Sequence, residues 1–490
     1  MNVQIRSEHI VAASDGVFID NAWRPSTSGK TLEVMDPATG KAFTRIAAGN
    51  AADVDAAVAS ARKAFEGEWG AKTATERGRI LLKASALVQE AAEELAALEA
   101  RDTGKPISQA RADITATARY LEFYGAAADK IHGDMIPYTP GYFVTTEHVP
   151  HGVTAHIIPW NYPAQMFGRT ISASLAMGNA CVMKPAEDAC LTPMRLTEIL
   201  RDAGLPPGAL NCVPGLGEEA GAALSAHPGI DFISFTGSPE VGAAVQIAAG
   251  KNHIGCTLEL GGKSPQILFA DADLDQAMPV VMKAITQNAG QTCSAGARLL
   301  VEESIVDQVI QRLKADFPKL TAGMQQDDND LGPLISPRQL SRVRDFCKRA
   351  DADGVALIAE GQVGQGAAED GNFIAPRAYG PVPRDNRLAR DEVFGPVLAL
   401  MTFKDEADAV ALANDTEYGL VAGVWSRDGS KAIRVARQIR VGQVFVNNYG
   451  AGGGVELPFG GMKKSGHGRE KGFDALYEFA ATRTMVIRHD

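Results

Sequence analysis

Between Val153 and Phe269 the chain reads as short apolar runs: VTAHII (153–158), ACVMK (180–184), LNCV (210–213), DFISF (231–235), CTLEL (256–260) and PQILF (265–269). Helix-like segments such as Met194 to Asp202 and Pro239 to Ala249 separate them. Strands alternating with helices predict a parallel sheet, because right-handed crossovers cover both of its faces. A second series of the same kind starts at Ala297 to Glu302 and continues to about Val446, so two α/β domains are expected. Upstream, Val54, Ala57, Val58, Ala61 and Phe65 fall at helical spacing. Ile80 to Leu98 repeats the pattern and ends at Gly104-Lys105-Pro106, so the first hundred residues read as largely helical. The stretch FVTTEHVPHGVTAHII after Tyr142 reads as two strands broken at Pro150 and Gly152. The glycine-rich segment Gly450 to Gly461 reads as a long ordered loop, followed by a last helix and the strand-like TRTMVIR (482–488).

Composition narrows the function classes. The 490 residues are 45% hydrophobic and 22% charged, ordinary values for a folded globular protein. Lys and Arg number 48 against 59 Asp and Glu, a net charge of −11, which disfavours nucleic acid and anionic membrane surfaces as partners. No run approaches the roughly 18 apolar residues of a spanning helix. The opening MNVQIRSEHIV carries Arg6, Glu8 and His9 where a signal peptide would be apolar, so a cytoplasmic location is expected. Six cysteines, at 181, 190, 212, 256, 293 and 347, are too sparse for a disulfide framework; reduced thiols are expected, and no metal-ligand set is.

Four segments carry chemistry. FTGSPEVG (235–242) follows a strand and opens a helix, so Gly237, Ser238 and Gly242 allow close backbone approach to a phosphate; its GxxxxG spacing departs from GxGxxG, and a plain strand-to-helix turn reads equally well. Lys184 and Glu187 in VMKPAE lie just past a strand, where an amine and a carboxylate can hold ribose hydroxyls or can be two solvated charges. LELGGKSP (258–265) puts Glu259 at a strand end before paired glycines. GQTCSAG (290–296) puts Cys293 among small residues that give a thiolate access. The other five cysteines sit in apolar runs or on helices and read as small core residues.

With PWNYP (159–163), DEVFGPV (391–397) and PFGGMKKSG (458–466) added, the chain resembles the hydrolytic NAD(P)-dependent aldehyde dehydrogenases from end to end. Each motif alone is modest; seven in family order are specific. The resemblance implies Cys293 as nucleophile, Asn161 as oxyanion donor and Glu259 as general base for thioester hydrolysis. It implies Lys184 and Glu187 for the adenosine ribose, and Gly237, Ser238 and Gly242 for the pyrophosphate side. Glu392 and Phe394 follow for the nicotinamide ribose, with Ile158 and Trp160 lining the cofactor cleft. A carboxylate at Glu187 repels a 2′-phosphate and so favours NAD over NADP.

The family fold implies a Rossmann-like NAD-binding domain (1–127 and 151–261), an α/β catalytic domain (262–477) and a small β arm (128–150 and 478–490) that joins subunits as a homodimer or homotetramer. The substrate is expected to be a small-molecule aldehyde. Tyr162, Phe459 and Arg169 are the expected pocket residues, and Arg169 stands where semialdehyde dehydrogenases of this family bind a substrate carboxylate. Two readings of it stand: an anion clamp, or a helix Arg paired with a neighbour. Gln287 occupies the place where those enzymes often carry a second Arg. Glycines 452, 453 and 454 imply a wide tunnel mouth, with no aromatic cage for a quaternary ammonium. An acylating enzyme that makes a coenzyme A thioester, and a catalytically idle relative, are the alternatives; the intact Glu259, Cys293 and Asn161 argue against both.

Overall fold

The computed structural model describes residues 16–450 and 454–489. The residues of the signal-peptide reading, together with Gly452 and Gly453, lie outside them. Two large sheets dominate. In the first, the strand order is Ala22–Pro25, Gly16–Ile19, Leu210–Cys212, Ala180–Pro185, Val153–Ile158, Phe232–Thr236, Gly255–Glu259 and Gly466–His467. The five strands from Leu210–Cys212 to Gly255–Glu259 run parallel, and the edge strands are antiparallel. Val153–Ile158 and Ala180–Pro185 are almost wholly buried, as strands covered on both faces must be.

The chain builds this sheet outward from Val153–Ile158 to Ala180–Pro185 and Leu210–Cys212. It then returns to the other flank for Phe232–Thr236. That reversal is a topological switch point, and the crossover loops diverge there at the carboxyl ends of the strands to leave a crevice for a ligand.

The second sheet runs Leu357–Glu360, Arg377–Tyr379, Val397–Phe403, Arg298–Glu302, Pro265–Leu268, Val421–Trp425 and Gln443–Val446, parallel except for its first strand. Residues 260–264 alone join the carboxyl end of Gly255–Glu259 to the amino end of Pro265–Leu268. One apolar core surrounds the first sheet and two flank the second.

Three features differ from the sequence expectation. The first hundred residues include two antiparallel hairpins, Gly16–Ile19 with Ala22–Pro25 and Thr31–Asp36 with Lys41–Ala47. Asp20 and Asn21 turn the first of these at positive φ of 53° and 61°, the geometry of a two-residue hairpin turn. The long helix expected over Ile80 to Leu98 is instead two helices, Ala74–Glu90 and Ala92–Thr103, parted at Ala91. Gly466–His467, expected with the catalytic domain, pairs with Leu258 and Glu259 on the first sheet.

The predicted β arm is a two-stranded antiparallel ribbon, Tyr142–Pro150 with Ala480–Arg488. Tyr142, Phe143, Met485, Val486 and Ile487 are exposed on it. Among the described residues, no helix is long and apolar enough to cross a membrane.

Candidate active site

Glu259 ends its strand with its side chain 2% exposed, and beyond Leu260 come the paired glycines Gly261 and Gly262, where an added Cβ would crowd its neighbours. A Cβ on Gly261 would lie 2.3 Å from Glu392 Oε2, and one on Gly262 would lie 2.3 Å from the Cys293 carbonyl oxygen. The paired glycines thus press the base-bearing strand end against both the thiol loop and Glu392. The Gly262 N–H donates to Glu392 Oε1 at 2.8 Å, tying the DEVFG loop to the same point. That loop is braced from outside by helix Pro337–Ala352. Gln339 Nε2 donates to the Phe394 carbonyl (2.7 Å) and Arg342 to that of Glu392 (2.7 Å).

Cys293 follows helix Leu274–Thr286 and a turn in which Asn288, Ala289 and Gly290 all have positive φ. It is partly exposed; of the five cysteines expected in the core, Cys181, Cys190, Cys212 and Cys347 are buried, but Cys256 on strand Gly255–Glu259 is partly exposed as well. The Asn161 amide donates from Nδ2 to the Gln291 carbonyl at 3.0 Å, which sets it beside the thiol loop. Tyr162 Oη hydrogen-bonds Thr292 Oγ1 at 2.9 Å and accepts from Gln287 Nε2 at 3.1 Å, so Gln287 serves the pocket wall.

Arg169 does not present a free guanidinium. It is 4% exposed, salt-bridged to Glu470 at 2.6 Å and stacked 4.6 Å from the centre of the Phe459 ring. Of the two readings, pairing with a neighbour is the one this geometry carries, and Glu470 is the partner that sequence reasoning missed. Phe459 and Glu470 exchange backbone hydrogen bonds at 2.7 and 2.8 Å, which sets the two residues side by side. Lys471 Nζ lies 5.2 Å from the same ring, so two cations flank one aromatic wall.

Burial sets the protonation states here. It lifts the Glu259 carboxyl well above its ordinary range, and the Glu470 charge adds to the effect while Arg169 opposes it. Neither Glu259 oxygen has a hydrogen-bond partner among the described residues. Burial likewise pushes the Cys293 thiol up to about 12, against the pull of Arg169. It raises Glu392 to about 7 and lowers Lys471 to about 7.

The expected cofactor residues converge on the switch point. Ile158 and Lys184 sit at the carboxyl ends of neighbouring strands, and Gly237 and Ser238 follow the third. Lys184 Nζ holds Glu187 Oε2 at 2.6 Å, and the second Glu187 oxygen accepts from the Gly217 N–H at 3.4 Å. Ser238 caps helix Pro239–Lys251 through its Oγ. Gly242 lets that helix close on the sheet, since a Cβ there would lie 2.6 Å from Leu260 Cδ2. Across the cleft, Trp160 and Phe394 meet edge to face at 5.4 Å, with Phe394 at φ 59°.

These residues fit a dinucleotide. The crevice offers a carboxylate and an ammonium for ribose hydroxyls, a helix N-terminus for a phosphate, and a half-buried carboxyl, Glu392, beside the thiol loop.

Comparison with known proteins points the same way. The sequence pattern of the aldehyde dehydrogenase family matches residues 23–485. Human retinal dehydrogenase 2 is 40% identical, over 96% of this chain and 91% of its own length. A crystal structure from Burkholderia cenocepacia, provisionally described as an aldehyde dehydrogenase, superposes with a TM-score of 0.96 at 58% identity, covering 97% of this chain and all of that one. Betaine aldehyde dehydrogenase from Staphylococcus aureus, solved with NAD+, superposes with a TM-score of 0.94 at 34% identity, covering 98% and 96%.

The raised thiol makes a testable statement. The neutral form dominates at pH 7, and the thiolate fraction grows with pH until the pKa is reached. Iodoacetamide inactivation of the protein without added nucleotide should therefore speed up about tenfold per unit from pH 7 to pH 9. A rate that levels off below pH 8 would contradict the desolvated setting of Cys293.

Proposed function

The chain belongs to the aldehyde dehydrogenase family, and on that premise we propose that it oxidises an uncharged aldehyde to the carboxylic acid, with NAD as cofactor, in the cytoplasm. The observation that carries this reading is the junction at Gly261 and Gly262. There a desolvated carboxyl, a thiol and a cofactor-side carboxyl are held together by contacts that leave no room for a Cβ.

The Cys293 thiol passes its proton to the Glu259 carboxylate, which releases it to water, and the sulfur adds to the aldehyde carbon. The oxygen that becomes negative meets the Asn161 amide and the Cys293 N–H, and a donor of this kind is worth about 10²–10³ in rate. NAD, when bound, supplies the acceptor for the hydride that leaves this carbon. The thioester left on Cys293 is attacked by water. Glu259, whose burial holds its carboxyl well above the ordinary range, takes that water's proton as general base. Hydrolysis of the thioester gives the acid, with no coenzyme A required.

Glu187, with Asp188 beside it, favours a ribose diol over a 2′-phosphate, which supports NAD over NADP. The choice of an uncharged substrate rests on Arg169. Its charge is already answered by Glu470, and Gln287 is engaged with Tyr162. A substrate carboxylate would have to displace a buried partner.

NADH formation with neutral aldehydes and with ω-carboxylated semialdehydes of matched chain length tests this. The neutral set is expected to have the higher kcat/KM, and Cys293→Ala to abolish turnover with both. A preference for the carboxylated set that disappears in Arg169→Leu would instead make Arg169 a substrate clamp.

The exposed apolar ribbon supports assembly as a homodimer or homotetramer, since a lone two-stranded ribbon is marginal in water. Val486→Asp should then lower the mass seen by light scattering below that of the wild type. An unchanged multimer would exclude the ribbon as the joining surface.

A further inference from the structure

The proposed reaction depends on where the Asn161 amide points, and the Asn161 peptide has an unusual support. Its carbonyl lies one residue before the first helical acceptor, Tyr162, outside the ladder of helix Pro163–Met177, and is met by side-chain donors instead. It finds two. Lys105 Nζ donates at 3.1 Å and Asn288 Nδ2 at 2.9 Å.

Lys105 is 1% exposed and its ammonium is fully committed: besides Asn161 O it reaches Glu99 Oε1 at 3.1 Å and Asp113 Oδ2 at 2.5 Å. It also lies 4.5 Å from the centre of the Tyr162 ring. The remaining Asp113 oxygen accepts from Gln165 Nε2 at 2.7 Å, one turn into the helix that Asn161 precedes. Gly104 turns Lys105 inward at φ 78°; a Cβ on it would lie 2.6 Å from Pro333 Cγ. Burial alone would lower the pKa of this ammonium, but Asp113 and Glu99 outweigh burial and raise it, so the donor is permanently charged.

We propose that Lys105 is a positioning residue for the oxyanion donor. Its ammonium, anchored on Glu99 and Asp113, fixes the Asn161 peptide so that the Asn161 amide faces the thiol loop. The inference rests on the assignment of Asn161 as oxyanion donor proposed above. Lys105 touches no reacting atom; the effect proposed for it passes through the Asn161 peptide that it hydrogen-bonds, and this separates it from a residue that merely holds two helices together.

A double-mutant cycle tests it, read by single-turnover NADH formation at saturating NAD in wild type, Lys105→Met, Asn161→Ala and the double variant. Asn161→Ala is expected to cost about 10²–10³. Lys105→Met should cost about 10–100-fold in the wild-type background and less than about twofold in the Asn161→Ala background, with the KM for NAD unchanged. Because Lys105→Met strands Asp113, the charge-balanced Lys105→Met/Asp113→Asn is measured alongside, and it should follow the same pattern even if the single variant does not fold. Equal losses in both backgrounds, or no loss in either, would overturn the positioning role while leaving Asn161 in place. A negligible cost of Asn161→Ala itself would remove the oxyanion assignment, and the inference with it.

Discussion

The structure depends on a steric constraint at Gly261 and Gly262. Two parallel sheets are joined there by residues 260–264, carboxyl end of one to amino end of the other, and the join is tight enough that backbone and carboxylate oxygens occupy the space of two side chains. Three of the residues proposed for the chemistry meet at that join. Glu259 stands just before it, the Cys293 carbonyl presses on it, and Glu392 accepts its N–H. Proximity of this kind is worth several orders of magnitude in rate, and it is lost with a displacement of about 1 Å.

Charge is distributed around the join with equal economy. Glu470 is charge-balanced by its ion pair with Arg169, whereas Glu259 is buried with neither oxygen hydrogen-bonded among the described residues, and its proton is held more tightly than in water. A second buried cluster, Glu99, Lys105 and Asp113, lies on the far side of Asn161. In both places the ion pairs are fully desolvated, where removing one partner strands the other and costs far more than the pair contributes. Buried charges of this kind hold the side chains around them in one geometry.

Much of this was legible in the sequence, for local reasons. The parallel sheets follow from apolar runs at βα spacing, and the site residues are expectations from a family resemblance that seven motifs in order carry, since a loop cysteine among small residues reads alone as well as a plain thiol. What escaped was non-local. Arg169 is paired with Glu470 across 301 positions, and no local pattern in FGRT announces a partner in GREK. Lys105 reads as the end of a helix at a Gly-Lys-Pro break, and only the fold carries it to Asn161. The Asp20-Asn21 turn is the exception: two residues tolerant of positive φ between apolar segments signal a hairpin, and that signal was present.

The most direct test of the account is Gly262→Ala, read by kcat for aldehyde oxidation and by thermal unfolding, with Gly429→Ala, whose added Cβ meets open space, as the control. The account predicts a folded protein whose kcat falls about 100-fold or more, because the Cys293 carbonyl must move away from the strand end, while the control stays within about twofold of wild type. A Gly262→Ala protein that keeps more than about half of its kcat would contradict the claim that this contact sets the geometry of the site.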